Sequence, residues 1–251
     1  MKTHLDLFSG IGGFALAAGW AGFNTIGFCE VEDYPRRILS KRFPGVRLHG
    51  DIRELDGSDF QGVTLITGGY PCQPFSQAGK RKGAADDRHL WPEMLRIVKQ
   101  ARPAWVLAEN VAGHITMGLD QVLADLEGEG YAARAVVVPA CAVNAPHRRD
   151  RVWIVAKQLH DADTDDSRRP KQERQHEWPE DLGGCSEDKL ESRSVLVYGY
   201  ERIGPSYWET EPAVGRVADG VPNRVDRLKA LGNAIVPQVA YELIRHLETH
   251  G

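Results

Sequence analysis

The chain has 251 residues, 42% hydrophobic and 26% charged, with a formal net charge of -4 and a pI near 6.1. That length buries a sizeable core as one large domain, or as one domain with a small insertion, and the mild acidity excludes a chain that grips nucleic acid through its global charge. Cys29, Cys72, Cys141 and Cys185 lie far apart with no Cys-x-x-Cys pair, which argues against a zinc site and a disulfide framework and favours reduced thiols in a cytosolic protein.

In chain order, residues 4–8 read as a strand, Ser9-Gly10-Ile11-Gly12-Gly13 as a turn, and 14–21 as a helix. Neither a targeting segment, nor a membrane span, nor a repeat of fixed period is expected. Glycines in such a turn let backbone N–H groups approach a ligand at the helix N-terminus. Residues 24–30 form a second predicted strand ending in Glu30, and 47–52 repeat the pattern with Asp51. An acid at a strand end suits hydrogen bonds to ribose hydroxyls, so the glycine loop and two acids describe an adenosine site in a doubly wound α/β sheet. Asp6 stands just before the loop, and no Lys or Arg lies within it. A pyrophosphate would meet negative charge there, whereas a cationic cofactor such as S-adenosylmethionine would be favoured.

Residues 63–67 are a short buried strand running into Gly68-Gly69-Tyr70-Pro71-Cys72-Gln73-Pro74-Phe75-Ser76. A lone cysteine is commonly a small core residue, but prolines on both sides stiffen the loop and aim the thiol, which reads as a nucleophile loop. A helix over 90–101 tolerates Pro92 in its first turn, and a strand over 104–108 delivers Glu109-Asn110-Val111 to the same edge as Cys72. A carboxylate leaving an apolar strand is partly desolvated and can act as an acid; a helix cap or solvated acid is the plain alternative. A helix over 120–128 is followed by strands over 133–138 and 152–156, read as an antiparallel pair. Between them lie Arg148, Arg149 and Arg151, either a solvated bend or a cluster that fixes a base edge or phosphate.

From 158 to 221 the composition changes, with 15 acidic against 8 basic residues, the wrong sign for phosphate binding. Arg168, Arg169, Lys171, Arg174 and Arg202 are its plausible DNA-facing cations. A last helix over 236–247 places Val239, Leu243, Ile244 and Leu247 inward.

The ordered set Asp6-Leu7-Phe8-Ser9-Gly10-Ile11-Gly12-Gly13, Glu30, Gly50-Asp51-Ile52, Pro71-Cys72-Gln73, Glu109-Asn110-Val111, Arg149-Asp150-Arg151 and Leu231-Gly232-Asn233-Ala234 resembles the C5-cytosine DNA methyltransferases of bacteria and phages. The resemblance covers roughly 3–157 and 224–249. It implies a Rossmann-like, doubly wound S-adenosylmethionine-dependent methyltransferase sheet with an antiparallel strand pair at one edge. The catalytic domain would be discontinuous, 1–157 and 223–251, with 158–222 a short variable target-recognition region. By resemblance, Cys72 adds to C6 of a flipped-out cytosine, Glu109 protonates N3, Arg151 holds the base, and Arg149 lies beside the pocket. Phe8, Gly10, Gly12 and Gly13 would line the methionine side of S-adenosylmethionine, Glu30 the ribose, and Asp51 and Ile52 the adenine, with Asp6, Pro71, Leu90, Asn233 and Ala234 completing the site. Val31 stands where the family often has a tryptophan that stacks on adenine. No metal is implied. The expected partners are double-stranded DNA and a cognate restriction endonuclease, for a monomer in the cytoplasm of a bacterial or phage-infected cell. Rival readings are a transfer-RNA cytosine methyltransferase of the same fold, a Rossmann oxidoreductase using NAD, and a silent DNA-binding protein. The last helix is expected to pack beside the first strand.

Overall fold

The structure, a computed structural model, describes residues 1–71, 90–159, 196–197 and 224–249. Eight strands form one sheet in the order β3-β2-β1-β4-β5-β7-β6-β8. They are β1 (Thr3–Leu7), β2 (Asn24–Cys29), β3 (Arg47–His49), β4 (Leu65–Gly68), β5 (Trp105–Val111), β6 (Tyr131–Pro139), β7 (Asp150–Gln158) and β8 (Leu196–Val197). The helices are α1 (Gly13–Trp20), α2 (Asp33–Arg42), α3 (Trp91–Ala101), α4 (Leu119–Gly128), α5 (Arg224–Asn233) and α6 (Pro237–Thr249).

Strands β3 to β5 are all parallel. Such strands read as unbroken apolar runs because helices cover both sheet faces. On one face Leu5, Leu7, Ile66, Val106 and Ile154 pack against Met94, Ile97 and Val98 of α3 and Leu126 of α4. On the other, Leu65, Leu107, Val138 and Trp153 pack against Phe14 and Ala17 of α1 and Val239, Ala240 and Ile244 of α6. Burying each Val or Ile of α6 contributes about 1.5–3 kcal/mol, which is how the end of the chain is returned to the core. α6 packs on α1 and on the face formed by β4–β7.

The chain moves outward from β1 to β2 and β3, then crosses back to β4 on the other side of β1. Reversal of direction at β1/β4 leaves a crevice beyond their carboxyl ends, where ligands bind in such sheets. The antiparallel hairpin is present, with β7 inserted between β5 and β6. β5 runs three residues past the expected end at Ala108: β4 pairs with it only as far as Gly68↔Ala108, while β7 pairs with it through Val111↔Arg151. Within the stretch expected to be a separate insertion, Leu196–Val197 adds to the same sheet, parallel to β6.

Candidate functional site

A cavity of about 650 Å³ opens at the carboxyl ends of β1 to β5, within the size range of small-ligand sites. Among the described residues it is lined by Phe8, Gly10, Glu30, Val31, Asp51, Ile52, Pro71, Leu90, Glu109, Arg151 and Asn233, all expected there from the sequence. Tyr70, Cys29, Asn110 and Gly232 also line it.

The loop after β1 is held tightly. Ser9 donates its hydroxyl to the Asp6 carbonyl at 2.6 Å, and its N–H bonds the Cys29 carbonyl at 3.1 Å. Phe8 is thereby fixed at φ 52°, a conformation that non-glycine residues rarely adopt. The glycines divide the work. A Cβ on Gly10 would meet nothing within 4 Å, whereas one on Gly12 would lie 2.8 Å from Phe43 and one on Gly13 2.8 Å from Ile235. Gly10 thus faces the cavity, while Gly12 and Gly13 allow α1 to seat against α2 and the segment before α6.

Glu30 is buried at the end of β2 and accepts hydrogen bonds from Gly10 N–H (2.7 Å) and Glu32 N–H (2.8 Å). The Gly10 amide, which in a phosphate-binding loop would point at the ligand, is therefore taken by a carboxylate. Asp51 is likewise oriented, accepting from Arg53 N–H at 3.0 Å and forming an ion pair with its guanidinium at 3.3 Å.

Asp6 is a correction. It is fully buried on the α1 side of the sheet, outside the cavity lining, where Thr67 donates its hydroxyl to Oδ1 at 2.9 Å. Burial pushes its carboxyl well above the usual range, against the smaller pull of that hydroxyl. Asp6 thus stands outside the cavity wall, and the carboxylate at the glycine loop is Glu30. Gly12, Gly13 and Ala234 are also absent from the lining among the described residues.

Glu109 lies on the stretch of β5 that overhangs β4 and is 8% exposed. Its Oε1 pairs with Arg151 Nε at 2.8 Å, an approach set by the Val111↔Arg151 register. Burial raises its pKa despite the opposing Arg151 and Arg149 charges. The cavity wall thus carries a carboxyl group that holds a proton more readily than an exposed one and is steered by a guanidinium.

Arg149 stands beside the cavity and not on its wall. Its Nη2 donates to the Gly232 carbonyl at 2.7 Å and the Ala234 carbonyl at 2.8 Å, from a backbone at φ 37°, and Arg149 does not line the cavity among the described residues. It clamps the segment that brings Asn233 to the cavity. Cys72, Arg168, Arg169, Lys171, Arg174 and Arg202 lie outside the described residues. The sequence reading missed His114, which is buried just after β5 and hydrogen-bonded to Tyr70; a histidine where the following turn needs only an apolar residue was the available signal.

Residues 2–203 match the family model for C-5 cytosine-specific DNA methylase. The Type II methyltransferase M2.BsuMI of Bacillus subtilis is 35% identical over 169 residues, which cover 62% of this chain and 42% of that protein. M.NgoMIV, a Type II methyltransferase of Neisseria gonorrhoeae, is 38% identical over 112 residues, covering 44% and 36%. The crystal structure of the S. pombe Dnmt2 methyltransferase is similar with a TM-score of 0.55 at 25% identity, over 63% of this chain and 51% of that one. The chain spans less than half the length of the two curated relatives.

Proposed function

Because the chain belongs to the C-5 cytosine-specific DNA methylase family, we propose that it transfers a methyl group from S-adenosylmethionine to C5 of a cytosine flipped out of double-stranded DNA. The observation that carries this reading is Glu109: a buried carboxyl with a raised pKa, paired to Arg151, on the wall of a cavity whose other end holds Glu30 and the Gly10 turn. That other end suits the cofactor. Glu30 and Asp51 offer carboxylate oxygens for ribose and adenine, and the space in front of Gly10 admits the methionine portion.

When bound, S-adenosylmethionine supplies an electrophilic methyl group on its sulfonium sulfur. The Cys72 thiolate adds to C6 of the cytosine, and the electrons of the 5,6 double bond make C5 a carbon nucleophile. Glu109 delivers a proton to N3, which favours that addition, and Arg151 holds the Glu109 carboxyl toward the base. Once C5 carries the methyl group, the N3 proton returns to Glu109, and loss of the C5 proton to solvent restores the double bond and expels the Cys72 thiolate.

In this reading, residues 1–157 and 223–251 form the catalytic domain and 158–222 a small target-recognition region. The protein acts in the cytoplasm as a monomer, alongside a cognate restriction endonuclease. The test is incubation with tritiated S-adenosylmethionine and unmethylated genomic DNA, followed by bisulfite sequencing. Cytosines protected in one short shared context are the expected result, and Cys72→Ala should abolish protection while S-adenosylmethionine affinity changes less than about 3-fold. Label entering transfer RNA instead of DNA would refute the substrate; appreciable transfer by Cys72→Ala would refute the covalent route.

A further inference from the structure

Among the described residues, the backbone ladder between β4 and β5 stops at Gly68↔Ala108, and β5 then continues with β7 as its partner. Gly69, Tyr70 and Pro71, which lead toward Cys72 in the sequence, therefore have no ladder partner on β5. Side chains take over from the ladder at this point. Asn110 donates its amide to the Tyr70 carbonyl at 3.2 Å, and the Tyr70 hydroxyl is hydrogen-bonded to His114 Nε2 at 2.7 Å. The backbone of Gly69 lies so close to Glu109 that a Cβ there would be 3.3 Å from Oε2.

Tyr70 and His114 are 4% and 6% exposed, so a hydroxyl and an imidazole have been withdrawn from water to make this contact. Burial of that kind is unfavourable unless the groups satisfy each other. The Tyr70 ring is also held in place, with its centroid 5.1 Å from that of Trp91 in α3 and 5.4 Å from the His114 ring at 78°. His114 belongs to the short 3-10 helix Ala112–Thr116, which directly follows β5, the strand that carries Glu109.

We infer that Tyr70 and His114 are positioning residues, whose hydrogen bond fixes the base of the Cys72 loop against the strand end that carries Glu109. The inference rests on the reaction proposed above. It assigns the pair no contact with substrate; the bond acts by holding two reacting groups at one spacing, to which rate is steeply sensitive.

The test uses the full chain with three single variants, Tyr70→Phe, His114→Leu and His114→Gln, and the double variant Tyr70→Phe/His114→Leu. Tyr70→Phe and His114→Leu should each lower kcat about 10-fold, with KM for S-adenosylmethionine and DNA changed less than about 2-fold. The double variant should be no slower than the slower single one, because both lose the same bond. His114→Gln, whose amide reaches the place of Nε2, should keep kcat within about 3-fold of the unmodified chain. Unchanged kcat in the singles, losses that multiply in the double variant, or a change confined to KM would overturn the inference. Amide hydrogen exchange of the peptide carrying Gly69 and Tyr70 gives a readout independent of activity. If the unmodified chain transfers no methyl group to DNA, the proposed reaction fails and exchange alone decides: faster exchange in both singles supports the tie, and equal exchange refutes it.

Discussion

At Glu109 two effects oppose each other: burial disfavours the carboxylate, and Arg151 at 2.8 Å favours it, with burial the larger. The raised pKa keeps the group protonated to higher pH than a free glutamate, which is the form that can give a proton to N3. The proposed activity should therefore fall as pH rises through that raised value. Glu109→Gln, which keeps the shape and removes the titrating proton, should lower kcat about 100-fold, abolish that limb of the profile and leave DNA binding intact. Rates measured across pH for both chains check this; an unchanged high-pH limb in the variant would assign it to another group. Val31 is the other informative position. It lines the cavity yet is 66% exposed, so it covers little of what sits beside it. Val31→Trp should tighten S-adenosylmethionine binding about 3- to 10-fold, the worth of one aromatic stacking contact. Calorimetric titration showing equal affinity would mean that the adenine does not lie over residue 31.

Between elements, Arg149 joins the start of β7 to the turn between α5 and α6 through the Gly232 and Ala234 carbonyls. Arg149→Ala removes two charge-assisted bonds from the segment that presents Asn233 to the cavity. S-adenosylmethionine affinity should weaken about 10-fold, while the rate at saturating cofactor falls less than about 3-fold. Collapse of that saturated rate would give Arg149 a part in the reaction beyond this clamp. The parallel half of the fold was legible in the sequence because its strands are short apolar runs closed by glycine or an acid, and Glu30, Asp51 and Glu109 follow from the strand ends. The overhang of β5 was not legible, since it exists only through its partner: Glu109, Asn110 and Val111 are strand because β7 is opposite. Helix α5 escaped notice for a related reason. Its Val225 and Leu231 are 78% and 64% exposed, so they mark no buried face, and Gly232-Asn233 reads as a turn. Asp6 was misread because both sheet faces are covered, and burial then gives no parity: His4 and Asp6 point one way, Leu5 and Leu7 the other.

At the scale of the whole molecule, that parity places two titratable groups inside the α/β/α sandwich. Thr25, His4, Thr67 and Asp6 form a buried chain, with His4 Nδ1 3.0 Å from the Thr25 hydroxyl, His4 Nε2 2.8 Å from the Thr67 hydroxyl, and Thr67 donating to Asp6. Burial lowers His4 to about 3 and raises Asp6 well above 3.8. The two shifts act on stability with opposite sign. As pH falls from 6.5 toward 3, the unfolded chain protonates His4 and the folded chain does not, so the His4 contribution is lost at up to about 1.4 kcal/mol per pH unit. As pH falls from the raised Asp6 value toward 3.8, the folded chain protonates Asp6 first, so stability increases at up to about the same slope. Where the windows overlap, the two slopes offset one another. Single substitutions should expose them. Relative to the unmodified chain, Asp6→Asn should lose stability as pH falls from the raised Asp6 value toward 3.8, because it lacks the gain that Asp6 supplies there. His4→Gln should gain it as pH falls from 6.5 toward 3, because it lacks the loss that His4 imposes there. Urea denaturation at half-unit pH steps checks this, taking differences so that other groups cancel. Parallel difference curves for the two variants would show that the two buried groups do not act with opposite sign; curves diverging in the stated directions would establish that burial shifts both groups beneath the glycine loop.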